Sequence, residues 1–227
     1  MRIQSFFRLP TIREGYAKAR FEFFKKFSVL RNFDSIENIN LSEYSKAAFG
    51  TFVSIGSRIT FLVSAVETAR RPNKNCKLLS LGPRFESELF GYVALGYRLN
   101  NITALDTYSY SKLVTLGNMH KMEFQDNAFD IIVGGWILAY SNDPTAAMRE
   151  IYRVTKVDGL ALITWDIPEG QLDNFDRLDQ IFLPGNNGVR TPLNQLTSGW
   201  KLRSLFIGNI SWSQNRKVVV VVLGKKK

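Results

Sequence analysis

The sequence predicts an α/β fold in which a mainly parallel sheet ends in an antiparallel hairpin. Short apolar strands alternate with helical segments from Lys77 onward, and connections of that length imply parallel strands. Two strand-like segments, Leu202 to Ile210 and Lys217 to Leu223, are separated by only a short turn. Residues 1–75 carry a helical pattern instead. We therefore expect an N-terminal helical, basic extension or lid over 1–75 and the sheet domain over 76–227.

The first half of the predicted sheet contains two strands with a helix between them. The first strand, Lys77 to Leu81, runs into Gly82, and we expect the helix from about Glu86 to Leu95. The second strand, Ile102 to Asp106, ends on an acid, which suits a ribose because open α/β sheets bind ligands where strands end. The pattern from Ser109 to Thr115 predicts a short helical or irregular piece.

The second half repeats the alternation and then changes. Phe129 to Val133 is a third strand, and a helix is expected to begin at Pro144 behind good capping residues. Leu160 to Trp165 follows the turn at Asp158-Gly159 as another strand. The last strand is apolar on both faces over Val218 to Leu223, so we expect it inside the sheet and not at an edge.

An amphipathic helix is predicted near the N-terminus. Thr11 and Glu14 have the spacing of a capping box. Apolar residues then recur at helical spacing with basic residues between them. The apolar positions are Ile12, Tyr16, Ala19, Phe23 and Phe27. Such a stripe most often packs against its own domain, and lying on a membrane surface is the alternative.

Composition excludes most metal sites and an internal disulfide. The 227 residues include one Cys and one His, whereas metal sites cluster several such ligands. We expect a soluble, cytoplasmic protein, because no secretory signal is evident. Residues 1–75 hold 13 Lys and Arg against 6 Asp and Glu, which favours either an anionic partner or a solvated helical face. No motif marks nucleic acid as that partner.

Two longer motifs resemble class I S-adenosylmethionine-dependent methyltransferases. Residues 117–130 are similar to the loop and strand of that family that end in Phe-Asp, and Glu150 to Gly159 is similar to the helix end before its fifth strand. The resemblance covers roughly residues 77–165. It implies a Rossmann-like fold and S-adenosylmethionine as cofactor, and our leading hypothesis is methyl transfer to a small-molecule or glycan-type acceptor.

The resemblance assigns four cofactor contacts in this sequence. Gly82 matches the first glycine of the family's D/E-x-G-x-G-x-G loop, and Asp106 matches the acid that receives both ribose hydroxyls. Asn118 occupies the position next to the adenine amino group, where its side-chain carbonyl can accept a hydrogen bond. Met119 falls where a backbone N–H meets the adenine ring.

The cofactor loop departs from the family pattern and reads G-P-R-x-E-x-E. Ser80 stands where an acid is usual, and Arg84 and Glu86 replace the second and third glycines. A guanidinium can grip a carboxylate through two hydrogen bonds, so we expect Arg84 to bind the carboxylate of the cofactor while Glu86 or Glu88 faces its ammonium. The alternative is a closed, vestigial site in which Arg84 pairs with Glu86.

Few catalytic groups are expected, because alignment supplies most of the catalysis of methyl transfer from a sulfonium. His120, Tyr140 and Asp143 are weak candidates for a base. His120 falls beside the adenine position and Asp143 can cap a helix, so a structural role is the commoner expectation for both.

Two other functions remain open at this point. One is a catalytically inactive module that binds a partner or an anionic surface through its basic N-terminal helix. The other is RNA methylation, which rests on the net charge of +10 alone and would show salt-dependent binding.

Overall fold

The computed structural model describes residues 3–26, 31–32, 52–70, 73, 75–83, 85–168, 182–184, 190–210 and 213–226. The chain divides into two compact units, residues 1–118 and 119–227. The first unit holds the N-terminal helices and three sheet strands, and the second holds four sheet strands and the helix that follows the first of them.

The N-terminal part of the first unit is helical. Helix α1 is Ile3–Phe7, α2 is Pro10–Lys26 and α3 is Phe52–Ala69. A two-residue strand, β1 (Arg31–Asn32), pairs antiparallel with β4 (Tyr108–Ser109). Within the described part of the chain, no helix is long and apolar enough to cross a membrane.

Helix α2 begins two residues earlier than the predicted capping box requires. The carbonyl of Leu9 accepts hydrogen bonds from the N–H groups of Ile12 and Arg13. Pro10 suits the first helical position because it has no N–H to satisfy. Thr11 therefore lies inside the first turn and not at the N-cap.

Helix α2 buries a different face from the predicted apolar stripe. Ala17 and Phe21 are 5% and 2% exposed, and Arg13 is buried with them. Tyr16 and Phe23, which belong to the predicted stripe, are 46% and 59% exposed. Of the predicted stripe, Tyr16 contacts the ring of Phe90 with centroids 5.3 Å apart, but both Tyr16 and Phe23 remain largely exposed. Phe21 is buried because its ring packs edge-on against the ring of Tyr110.

The sheet strands of the first unit are parallel. They are β2 (Leu78–Leu81), β3 (Ile102–Asp106) and β5 (Val114–Leu116), with β3 between the other two. Helix α4 (Glu86–Leu95) connects β2 to β3 and has the predicted bounds. It ends at Gly96, whose φ of 115° is open to glycine.

The piece predicted as helical or irregular, Ser109 to Thr115, contains the end of β4 and the start of β5 instead. Val114 and Thr115 lie opposite Ala104 and Leu105 in parallel register. The outer edge of β3 carries backbone donors and acceptors that need partners, and two β-branched residues suit a strand there. Tertiary pairing decides the structure of this short segment.

The second unit contains the rest of the sheet. Its elements are β6 (Phe129–Gly135), α5 (Pro144–Val154), β7 (Thr155–Pro168), β8 (Phe182–Pro184), β9 (Arg190–Pro192), α6 (Leu193–Leu196), β10 (Trp200–Ile210) and β11 (Ser213–Lys225). Strand β7 begins at Thr155, earlier than predicted. Its pairing with β6 shifts register after that residue, and Asp158 has a φ of 60°, so the predicted turn is an irregularity within the strand.

The four sheet strands of this unit follow the order β10-β11-β7-β6. Strands β6 and β7 are parallel, whereas β11 is antiparallel to both of its neighbours, β7 and β10. Val218 to Leu223 is buried within β11, which confirms the predicted interior strand. With β2, β3 and β5 the total is a seven-stranded sheet, mostly parallel with antiparallel C-terminal strands, so the predicted α/β, Rossmann-like fold class is confirmed.

Lys225 in the C-terminal tail is a buried structural residue. Its ammonium donates to the side-chain oxygen of Asn127 at 2.9 Å and to the carbonyls of Tyr152 and Thr155 at 2.8 Å each. The carbonyl of Arg153 lies 3.4 Å away. The cation thus satisfies carbonyls at the end of α5, where the helix itself offers no donors.

Candidate functional site

Gly82 ends β2 in a left-handed backbone conformation. Its φ is 65°, a region that glycine enters without steric cost. Its N–H donates to the carbonyl of Leu105 at 2.8 Å, which ties the turn to the end of β3. Because Leu81 lies opposite Leu105 in the parallel register, Gly82 and Asp106 leave neighbouring strands at the same edge of the sheet.

Asp106 lies half-buried at the end of β3 with its carboxylate oriented by the next residue. Oδ1 accepts from the backbone N–H of Thr107 at 2.7 Å and from its hydroxyl at 3.5 Å. The carbonyl of Asp106 accepts from the N–H of Gly117 at 2.9 Å. A Cβ on Gly117 would lie 2.6 Å from Leu105 Cδ1, so a side chain at position 117 would have to displace that methyl group.

An acid reaches Ser80 from helix α4. The Ser80 hydroxyl donates to Oε1 of Glu88 at 2.5 Å, and the Tyr92 hydroxyl donates to the same oxygen at 2.9 Å. All three side chains are buried, and burial together with the neighbouring Glu88 raises the pKa of Tyr92 well above its ordinary value. A carboxyl group therefore lies beside the strand position where the resembled family carries its acid.

Glu86 is fully buried and its carboxylate is held by the N-terminal helix. Oε2 accepts from Arg20 Nε at 2.5 Å, and Oε1 accepts from Arg20 Nη2 at 2.9 Å and from the hydroxyl of Ser111. Hydrogen bonding to Glu86 raises the pKa of Arg20 above its ordinary value. The N–H of Glu86 donates to the Tyr110 hydroxyl at 3.4 Å. Arg84 lies outside the described residues.

The three candidate bases lie in the second unit, where Met119 is half-buried at the start. His120 Nε2 forms a hydrogen bond of 2.7 Å with the hydroxyl oxygen of Ser141. Asp143 Oδ1 accepts from the N–H of Ala146 at 2.9 Å and caps α5. Tyr140 is 64% exposed. Asp143 thus has the capping interaction that the sequence indicated, and His120 is held by a neighbouring side chain.

A Glu-Arg pair on α5 braces the loop that follows His120. Arg153 donates to the carbonyls of Phe124 and Met122 at 2.7 and 2.8 Å, and to Asp126 Oδ1 at 2.7 Å. Glu150 Oε2 accepts from the N–H of Met122 at 2.7 Å and from Arg153 at 2.8 Å. Hydrogen bonding to Arg153 lowers the pKa of Glu150 below its ordinary value. These contacts explain why the Glu150 to Gly159 motif carries both residues.

Trp136 marks the end of β6 with an unusual backbone conformation. Its φ is 61°, which is costly for a bulky residue and is found mainly at functional positions. Its indole N–H donates to Asp166 Oδ1 at 2.5 Å, and its backbone N–H donates to the carbonyl of Thr164 at 2.8 Å. Asp166 lies near the end of β7 with Arg216 Nε 3.9 Å from its other oxygen.

Sequence reasoning missed Arg20, Ser111 and the pairing of Trp136 with Asp166. Arg20 looked like one of several solvated cations on a helix. No local spacing marks its partner, because 66 positions separate it from Glu86. No group of three or more side chains among the described residues could hold a metal ion.

Comparisons with known proteins identify a methyltransferase domain in the middle of the chain. Residues 91–163 match the family described as a methyltransferase domain. A 44-residue stretch is 46% identical to an uncharacterised methyltransferase of Schizosaccharomyces pombe, and this match covers 19% of the chain and 16% of that relative. The family match begins after the variant loop, so the downstream motifs carry it.

Solved structures share the fold. A protein from Galdieria sulphuraria, assigned provisionally as a sarcosine dimethylglycine methyltransferase, matches with a TM-score of 0.55 and 15% identity over 77% of this chain and 88% of its own. An S-adenosylmethionine-dependent methyltransferase from Aquifex aeolicus matches with a TM-score of 0.51 and 13% identity over 82% of this chain and 100% of its own. Residues 91–163 thus match a methyltransferase domain, and the likeness to these solved structures shows the Rossmann-like methyltransferase fold.

Proposed function

We propose that the chain binds S-adenosylmethionine and transfers its methyl group to a small-molecule or glycan-type acceptor. The observation that carries the proposal is the pairing of Gly82 with Asp106 at one sheet edge. A turn without a side chain lies there beside an oriented carboxylate. A ribose needs both, because its hydroxyls donate to the carboxylate while the rest of the nucleoside passes close to backbone.

The remaining cofactor contacts are assigned by position. Asn118 and Met119 receive the adenine, and Arg84 receives the carboxylate of the cofactor. Of the two acids in the first turn of α4, Glu88 is the better candidate to face the ammonium. Glu86 is held by Arg20 of the N-terminal helix, whereas Glu88 accepts from the hydroxyl of Ser80, the strand position of the family's acid.

Bound cofactor supplies a methyl group on a sulfonium, and a neutral thioether leaves. The protein's task is therefore to align the acceptor and exclude water. Tyr140 and Asp166 support a hydroxylated acceptor, because an exposed ring can pack on a sugar face and a carboxylate can accept from a hydroxyl. His120 and Tyr140 are the candidates to take a proton, and Asp143 is a weaker one because it caps α5.

Titration calorimetry with S-adenosylmethionine tests the cofactor half of the proposal. We expect saturable binding that weakens about ten- to hundredfold in Asp106→Ala, since a hydrogen bond to a charged group contributes about 1.5–3 kcal/mol. Glu123→Ala is the matched control, because Glu123 is an exposed acid outside the site. Absence of binding by the unaltered protein at millimolar cofactor would refute the proposal.

The acceptor half needs its own assay. Production of S-adenosylhomocysteine should rise above the background rate with hydroxylated small molecules or oligosaccharides and not with RNA. Asp166→Asn should raise the KM for the acceptor while the cofactor affinity stays unchanged. If the protein binds the cofactor but methylates only RNA, the proposed small-molecule or glycan-type acceptor is refuted, and the cofactor assignment is not affected.

A further inference from the structure

We propose that Arg20 of α2 is a positioning residue for the cofactor loop, so that docking of α2 and binding of S-adenosylmethionine favour each other. The inference rests on the proposed function, because it concerns the same loop. It gives the N-terminal extension, residues 1–75, a part in forming the cofactor site besides any role as a lid toward the acceptor.

The ion pair between Arg20 and Glu86 is bidentate. Two nitrogens of one guanidinium meet the two oxygens of Glu86, at 2.5 and 2.9 Å. This two-point contact fixes orientation as well as distance. Glu86 is the first residue of α4 and directly follows the loop that begins at Gly82. Holding its carboxylate therefore holds the far end of the loop.

The same carboxylate reaches the other side of the predicted cofactor site. The hydroxyl of Ser111 donates to Glu86 Oε1, and the hydroxyl of Tyr110 accepts from the Glu86 N–H. Both residues belong to the segment that follows Asp106. Burial raises the pKa of Tyr110 above its ordinary value, so its hydroxyl stays neutral. One buried side chain thus connects the glycine turn, the ribose acid and α2.

Aromatic rings hold α2 in place independently of the ion pair. Phe21 packs edge-on against Tyr110 with ring centroids 4.9 Å apart. The rings of Tyr16 and Phe24 also meet rings of the domain, with centroids 5.3 Å from Phe90 and 6.3 Å from Tyr110. We therefore expect α2 to stay docked when Arg20 is replaced, so that the effect on the loop can be measured in a folded protein.

Replacing Arg20 leaves a fully buried carboxylate without its cation, and an unpaired buried charge is strongly unfavourable. The first turn of α4 must then move or admit water. Either change displaces the loop from the cofactor. Because coupling between two binding events is reciprocal, cofactor that prefers the ordered loop must also favour docked α2.

The test compares four variants by cofactor affinity, thermal stability without cofactor, and hydrogen exchange. Arg20→Met should weaken the affinity about tenfold or more, and Arg20→Lys less, because it keeps the charge but loses the two-point contact. Arg20→Met with Glu86→Gln removes the unpaired charge, so it should recover stability without recovering affinity. Lys18→Met, at an exposed position of the same helix, should bind within about twofold of the unaltered protein, since exposed substitutions cost little.

Hydrogen exchange distinguishes coupling to the cofactor from a purely structural role of Arg20, because a purely structural role would not make exchange in α2 depend on the cofactor. Cofactor should slow exchange over residues 16–24 in the unaltered protein and leave it unchanged in the Arg20→Met, Glu86→Gln pair. Equal affinity of that pair and the unaltered protein would overturn the inference. If the unaltered protein binds no cofactor, the proposed function fails instead, and faster exchange over residues 85–90 in Arg20→Met still reports whether Arg20 orders the loop end.

Discussion

Replacing Arg153 by Ala should release the loop between His120 and Asp126. The guanidinium donates to the carbonyls of Phe124 and Met122 at 2.7 and 2.8 Å. Without Arg153, each of these carbonyls would lose a charged donor and would have to bind water instead. We expect the loop to loosen while the sheet stays intact.

The magnitude follows from those contacts. A hydrogen bond to a charged group contributes about 1.5–3 kcal/mol when water is excluded. The Arg153 side chain is 31% exposed, so water replaces part of each bond. Its ion pairs with Glu150 and Asp126 lie near the surface and add about 0–1 kcal/mol each. We expect a total loss of about 2–3 kcal/mol, which lowers Tm by about 4–12 °C for a chain of this size.

Thermal unfolding followed by circular dichroism measures the loss, and hydrogen exchange locates it. Exchange should accelerate over residues 119–126 and stay unchanged in β11. Arg149→Ala is the matched control, because Arg149 is exposed one turn earlier on the same helix and should change stability by no more than about 0.5 kcal/mol. Equal melting of the two variants would refute the bracing role of Arg153.

Three further predictions concern the second unit. Lys225→Met should destabilise by about 2–4 kcal/mol because it strips donors from buried oxygens, whereas the exposed neighbour Lys226→Met should melt like the unaltered protein. Asp143→Ala should cost about 1 kcal/mol as a lost N-cap and leave kcat unchanged; a large fall in kcat would make Asp143 the base. The pKa of Glu150 is lowered from its ordinary value of 4.5, so its stabilisation is complete above that pH and is lost as pH falls through the folded pKa. Hydrogen exchange at Met122 against pH measures that loss, and Glu150→Gln should flatten the profile.

Local pattern was sufficient where an element is determined by its own residues. Helix α4 ends at Gly96, and strand β3 ends at Asp106, as the sequence predicts. Glycine and the change of period mark these boundaries without reference to any distant residue. The interior position of β11 was equally predictable, because a segment apolar on both faces has to be covered on both.

Distant partners decided what local pattern could not. The stripe with Tyr16 and Phe23 fits helical spacing, yet α2 buries the face that carries Phe21. The reason is that Arg20 and Phe21 find Glu86 and Tyr110 on the domain. These contacts orient α2 so that Phe21 is buried while the rings of Tyr16 and Phe23 remain partly exposed. No periodicity within α2 contains that information.

The two acids of the variant loop, Glu86 and Glu88, make different contacts within the fold. Glu86 is committed to Arg20 and Ser111, so a vestigial pairing of Arg84 with Glu86 would have to break a two-point buried contact. Glu88 places a carboxyl group beside Ser80, where the family's strand acid would lie. Both acids also suit the first turn of a helix, whose dipole favours negative charge. These two acids thus have interactions within the fold, and we propose Arg84 as the residue that binds the carboxylate of the cofactor. Arg84→Met should therefore weaken cofactor binding without lowering thermal stability. A loss of thermal stability would instead indicate that Arg84 stabilises the fold.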